Sequence, residues 1–229
     1  MIFCIRKSMR WIKRSWRQVF RTSLLLILFY PSYAQSHPHV WVDAAVIIHR
    51  NDAGEISALE PVWIFDDLYT ASLLPDLDQD QSGEVEKAEL LTFARDAIGN
   101  LQEWDYFLKV KRDDEFGPLY RKEIIADADV LNNRLLLRFK LDLEKPVALG
   151  TSVQMQMYDP SYFIAMDVIE NHAVSYLPAA MNACTHSVTH PDDNLEDGTT
   201  LSDLVFSDEE VAQNPDLGSI FAKTVTVTC

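Results

Sequence analysis

The run His39-Val40-Trp41-Val42-Asp43-Ala44-Ala45-Val46-Ile47-Ile48-His49 is rich in β-branched and aromatic residues and predicts a long strand. Asn51-Asp52-Ala53-Gly54 reads as a turn, and Ile56 to Phe65 returns as a second strand, so a hairpin is expected. Asp66 or Asp67 would cap a helix from about Leu68 to Leu74, which Pro75 should shorten or kink. Leu90, Phe93, Ala94 and Ala97 recur at helical spacing, predicting a second helix from Lys87 to Asn100 that stops at Gly99-Asn100. Further strands are expected at Trp104 to Lys111, Ile124 to Val130, Arg134 to Leu143, Ser152 to Tyr158, Tyr162 to Val168 and Ala222 to Cys229. Asp113 to Pro118 is a polar turn, and residues 190 to 218 are acidic and loop-like. Many strands on short turns, with one helical pair inserted early, predict an α+β fold. The expected form is an antiparallel β-sandwich-like body with a helix-loop-helix insertion at about 66–100.

The first 34 residues do not belong to that body. Residues 1 to 21 carry seven Lys and Arg and no acid; Thr22 to Tyr30 is apolar, and Ser32-Tyr33-Ala34 supplies small residues for cleavage. Basic, apolar, small-x-small is the order of a secretory signal peptide, with Ser36 as the competing cleavage position. A membrane anchor is the alternative, but the apolar run is about half the length that spans a bilayer. The domain reading is therefore a signal peptide at 1–34 and a single β-rich domain at 35–229, periplasmic or secreted, with no membrane span after cleavage.

Removing the leader sharpens the charge. The whole chain stands at −15, but the leader holds 7 of its 20 Lys and Arg and none of its 35 acids. A mature chain near −22 speaks against nucleic acid and anionic membranes as partners and for cations. Cys4 leaves with the leader, so Cys184 and Cys229 remain and are expected to form a disulfide across about 45 residues. A thiolate metal site would need closer spacing and a reducing compartment.

The firmest chemistry lies in Asp78-Gln79-Asp80-Gln81-Ser82-Gly83-Glu84-Val85-Glu86-Lys87-Ala88-Glu89, which has the spacing of an EF-hand calcium loop. Asp78, Asp80 and Ser82 fall at positions 1, 3 and 5, and Gly83 takes the sharp turn at position 6. Glu84 would offer its carbonyl at position 7, Glu86 a carboxylate at position 9, and Glu89 two oxygens at position 12. The alternative is an acidic surface turn between helices. With no second loop for a paired lobe, the expected role for Ca²⁺ is a structural staple rather than a sensor.

The mature chain would begin Gln35-Ser36-His37-Pro38-His39, and imidazoles two residues apart beside a free amine suit borderline metals. Cleavage after Ala34 puts His37 at position 3, where amine, backbone nitrogens and imidazole can enclose Cu²⁺ or Ni²⁺. The competing reading is two solvated histidines on a frayed terminus.

Several motifs together resemble a known family: His37-Pro38-His39-Val40-Trp41-Val42-Asp43, Trp63-Ile64-Phe65-Asp66, the acidic loop, Trp104-Asp105-Tyr106-Phe107, and Tyr158-Asp159-Pro160-Ser161-Tyr162-Phe163. They are similar to a family of exported bacterial proteins of unknown function. Its members are usually labelled periplasmic components of an uncharacterised ABC-type transport system and are associated with nickel, cobalt or zinc. The resemblance implies a periplasmic accessory that binds Ni²⁺, Co²⁺ or Zn²⁺ and meets a membrane metal permease or ABC transporter. It implies His37 and His39 as ligands, with Asp66 or Asp159 as oxygen donors. His172, His186 and His190 are further candidates. The rival reading is a calcium-stapled secreted β-domain that binds a protein or envelope component. No Gly-x-Ser-x-Gly elbow and no His-Glu-x-x-His is present, so no enzyme is expected.

Overall fold

Strand β1 (Val40–Arg50) shows what the pattern of the chain achieves: Val40, Val42, Ala44, Val46 and Ile48 all point inward and are buried, while the residues between them face out. We describe a computed structural model covering residues 38–112, 115–116, 120–179, 184–194, 201 and 213–229. The signal-peptide reading, Cys4 and His37 lie outside the described residues, as does much of the acidic stretch 190–218. The described residues belong to one compact unit, His37–Cys229.

β1 turns at Asn51, whose Oδ1 accepts the N–H groups of Ala53 and Glu55, and pairs antiparallel with β2 (Ile56–Phe65), the expected hairpin. Two helices follow, α1 (Asp67–Leu77) and α2 (Lys87–Leu101). The rest is mostly strand: β3 (Leu108–Arg112), β4 (Glu115–Phe116), β5 (Tyr120–Leu131), β6 (Arg134–Val147), β7 (Ser152–Met157), β8 (Ile164–Val168), β9 (Val174–Leu177), β10 (Thr185–Thr189) and β11 (Thr224–Thr228). One sheet runs β5-β6-β2-β1-β8, with β9 also on β1; the other runs β10-β11-β7-β3-β4. The fold is α+β, with two sheets and an early helical insertion.

A single core joins both sheets and α2. Leu59, Trp63, Phe139 and Leu141 from the first sheet share it with Leu108, Val110, Met155 and Val225 from the second, and with Leu90, Ala94 and Ile98 of α2. Trp63 sits at its centre, edge-on to Phe139 at 5.1 Å and stacked on Phe107 at 6.1 Å. β5 and β6 are joined by Asn132 and Asn133 at φ 52° and 63°, a left-handed pair that Asn tolerates and a tight hairpin requires.

Several expectations are corrected. β8 and β9 pair with β1 in parallel, so the body is not wholly antiparallel. The sequence offers no local cue for this, because β8 and β9 reach β1 from more than 100 residues away. The strand expected from Trp104 begins only at Leu108: Asp105, Tyr106 and Phe107 take φ of 51–55°, which a strand cannot accommodate. Likewise Tyr162 at φ 57° delays β8 to Ile164. Strands β4, β9 and β10 were not anticipated. Pro75 does not end α1, which continues to Leu77; only the exposed Ala71, four residues back, loses its helical donor.

The C-terminal segment locks onto the Tyr158–Phe163 turn. Gly218 donates its N–H to Pro160 O at 3.0 Å, and a Cβ there would lie 1.9 Å from Asp159 O, so only glycine fits. Tyr158 is buried beside Asp216, and burial together with that carboxylate pushes its hydroxyl up to about 12. Cys184 and Cys229 form the expected disulfide, one residue beyond the Thr185–Thr228 pair of β10 and β11.

Candidate metal centre

The two helices are held to the first sheet by a few polar anchors. Asp66 ends β2 and caps α1: its Oδ1 accepts Tyr69 N at 2.7 Å and its Oδ2 accepts Trp41 N at 2.9 Å. Arg134 secures the same corner, donating to the carbonyls of Phe65 and Ile64 and pairing with Asp43 at 2.7 Å. Thr70, fully buried, donates to Asp66 O and accepts Leu135 N at 3.0 Å, which pins α1 to β6. Thr70→Val should leave that buried N–H without a partner and cost about 1–3 kcal/mol, read by chemical denaturation at unchanged m-value.

Lys87 performs the matching task for α2. Its ammonium pairs with Asp127 at 2.6 Å and donates to Ala128 O at 2.7 Å, and Asp127 also takes Arg138 at 2.7 Å. The Lys87 contact first, then Arg138, hold the Asp127 carboxyl below its ordinary value. A lowered carboxylate pKa stabilises the fold above the unfolded value, about pH 3.9, and the gain is lost as pH falls through the lower folded value. Asp127→Asn should therefore cost at most about 1 kcal/mol near neutrality, a difference that disappears in acid melts.

Between these anchors runs the acidic loop. Asp78 N closes α1 on Leu74 O at 3.2 Å, and the chain then turns through Gln81 at φ 59° and Gly83 at φ 93°. A Cβ at Gly83 would meet nothing within 4 Å, so the demand for glycine there is conformational, not steric. Asp78 accepts Ser82 N and Gly83 N on its two oxygens, both at 2.9 Å, and Asp80 accepts Ser82 N at 3.0 Å. Glu89, in the first turn of α2, reaches back to accept Gln79 N at 2.7 Å and Glu86 N at 3.0 Å.

These bonds bring one carboxylate oxygen each from Asp78, Asp80 and Glu89 within 4.8 Å of one another. Among the described residues no other three His, Cys, Asp or Glu side chains converge in this way. A carboxylate oxygen has two lone pairs, and an N–H uses one, so the trio keeps acceptor capacity toward its centre. Ser82 Oγ lies 2.9 Å from Glu84 O and 2.8 Å from Glu86 Oε1, forming a second string of oxygens beside the trio. The Ser82 hydroxyl lowers the Glu86 carboxyl, but Glu89, desolvation and Asp80 together leave it above its ordinary value. The Glu86 N–H and side chain hold Glu89 below its own. All-oxygen donors of this kind suit a hard dication.

The other anticipated ligands form no second trio of this kind among the described residues. His39 is exposed, with its N–H on Phe163 O at 2.9 Å and its ring 4.8 Å from Phe163. Asp66 is committed to the helix cap described above. Asp159 is buried and accepts Ser161 N, Ser161 Oγ and Ile164 N, which makes it the pin of its turn. His172 is exposed, His186 meets Tyr176 at 3.2 Å, and His190 meets Glu170 at 3.1 Å. Thr70, Lys87 and Gly218 were missed as positioning residues, because their roles depend on partners distant in sequence.

A family model described as a protein of unknown function, DUF1007, matches residues 22–229. The chain belongs to the DUF1007 family. An uncharacterised protein of Haemophilus influenzae is 25% identical to this DUF1007 chain over 218 residues, covering 90% of this chain and 98% of the relative. No solved structure matches it. Among the described residues no helix is long and apolar enough to cross a membrane.

Proposed function

We propose that this DUF1007 protein is an exported divalent-metal-binding accessory of a membrane metal transport system, with Ca²⁺ held as a staple in the Asp78–Glu89 loop. The observation that carries the calcium reading is the convergence of Asp78, Asp80 and Glu89, the residues at loop positions 1, 3 and 12, between two anchored helices. Ser82 Oγ, the Glu84 carbonyl and Glu86 would complete the shell. Export is supported by the Cys184–Cys229 bond, which is of a kind that persists in oxidising compartments.

The transport role, with Zn²⁺, Ni²⁺ or Co²⁺ as cargo, draws on the resemblance and on the placement of His39. That imidazole is exposed while its backbone is fixed to Phe163, so a chelate with His37 would sit against a rigid edge. Mature protein saturated with Ca²⁺ is titrated with Zn²⁺ or Ni²⁺. One further site is expected, absent in the His37→Ala, His39→Ala double variant. An isotherm unchanged by that double variant removes the transport reading and leaves the calcium-stapled binding domain.

A further inference from the structure

Beside the acidic loop lies a groove of about 500 Å³ whose apolar walls no role described so far uses. Its apolar walls are Ala71, Leu74 and Pro75 of α1, Val85 of the loop and Val130 of β5, with Glu84 on its rim. Asp78 lines it as well. The volume lies in the range of sites that hold compact apolar groups.

The surroundings are strongly anionic. Residues 66–89 contain eight Asp and Glu against one base, Lys87, and its ammonium is already engaged by Asp127 and Ala128 O. An apolar floor inside a negative field selects an apolar side chain flanked by cations. A second copy of this chain is disfavoured as occupant, because it would bring another strongly acidic surface against this one.

We propose that this groove docks a cationic, amphipathic peptide segment of a protein partner: an apolar side chain between α1 and Val130, with a flanking Lys or Arg toward Glu84. Groove and charges are properties of the chain itself, so the proposal does not rest on the calcium reading.

The test is run in chelator, which keeps the two readings separable. The probe is a short fluorescent amphipathic peptide of leucine and lysine, with the same peptide carrying glutamate for lysine as comparison, and binding is followed by anisotropy. Ala71→Trp fills the groove from an exposed position, and Glu84→Lys reverses its rim at another. Each should weaken the lysine peptide by about tenfold or more. Glu144→Lys, ten residues along β6 from the end that meets α1, should change it by less than about twofold. The glutamate peptide should not bind. Circular dichroism checks that each variant is folded. Loss with Glu144→Lys equal to that with Glu84→Lys, or no loss with Ala71→Trp, would reduce the effect to overall charge and overturn the proposal. So would failure of the lysine peptide to bind, or a concentration-dependent dimer that Ala71→Trp abolishes, which would assign the groove to a second copy.

Discussion

Saturating calcium is expected to raise the melting temperature of the protein by roughly 5–10 °C. A ligand at about 100 times its Kd stabilises the folded state by about 2.7 kcal/mol, and each kcal/mol moves a chain of this size by about 2–4 °C. The gain should be specific to the loop, because there three carboxylates converge with lone pairs to spare. Glu89→Gln should abolish the shift. Glutamine keeps the shape but loses one acceptor oxygen, and its amide would face the N–H of either Gln79 or Glu86. Comparing wild type and variant in chelator separates that local loss from the loss of the cation. Equal melting of wild type with calcium and with chelator would contradict the staple.

The second large effect concerns the C-terminus. Replacing Cys184 and Cys229 by serine should cost roughly 4 kcal/mol on the chain-entropy account, since the bond closes a separation of 45 residues. The melting temperature should fall by roughly 8–16 °C. The loss should be felt locally first, because β11 is the central neighbour of both β10 and β7. Hydrogen exchange at Val225 and Val227, both fully buried, reads this directly. Unchanged protection in the double serine variant would show that packing of β11, not the crosslink, holds the terminus.

What could be read from the residues divides along local and distant contacts. The β1–β2 hairpin, the Asn132-Asn133 turn and both helices follow from short-range signals: β-branched runs, turn residues and apolar spacing. The turn between the helices was equally legible, since Gly83 marks it and the acids that converge there lie within twelve consecutive positions. Parallel pairing of β8 and β9 with β1 was not legible, because register between segments so far apart leaves no periodic trace. The same holds for Thr70 and Lys87, each unremarkable on its helix until Leu135 N and Asp127 are seen opposite. Asp66 and Asp159 illustrate the converse: acids that resemble ligands in the sequence are absorbed by a cap and a turn.

Direct calcium titration of residues 35–229 tests the central claim most closely. The account predicts one Ca²⁺ per folded chain and loss of that heat in Glu89→Gln. A folded wild-type protein that takes up no calcium even at millimolar supply would contradict it.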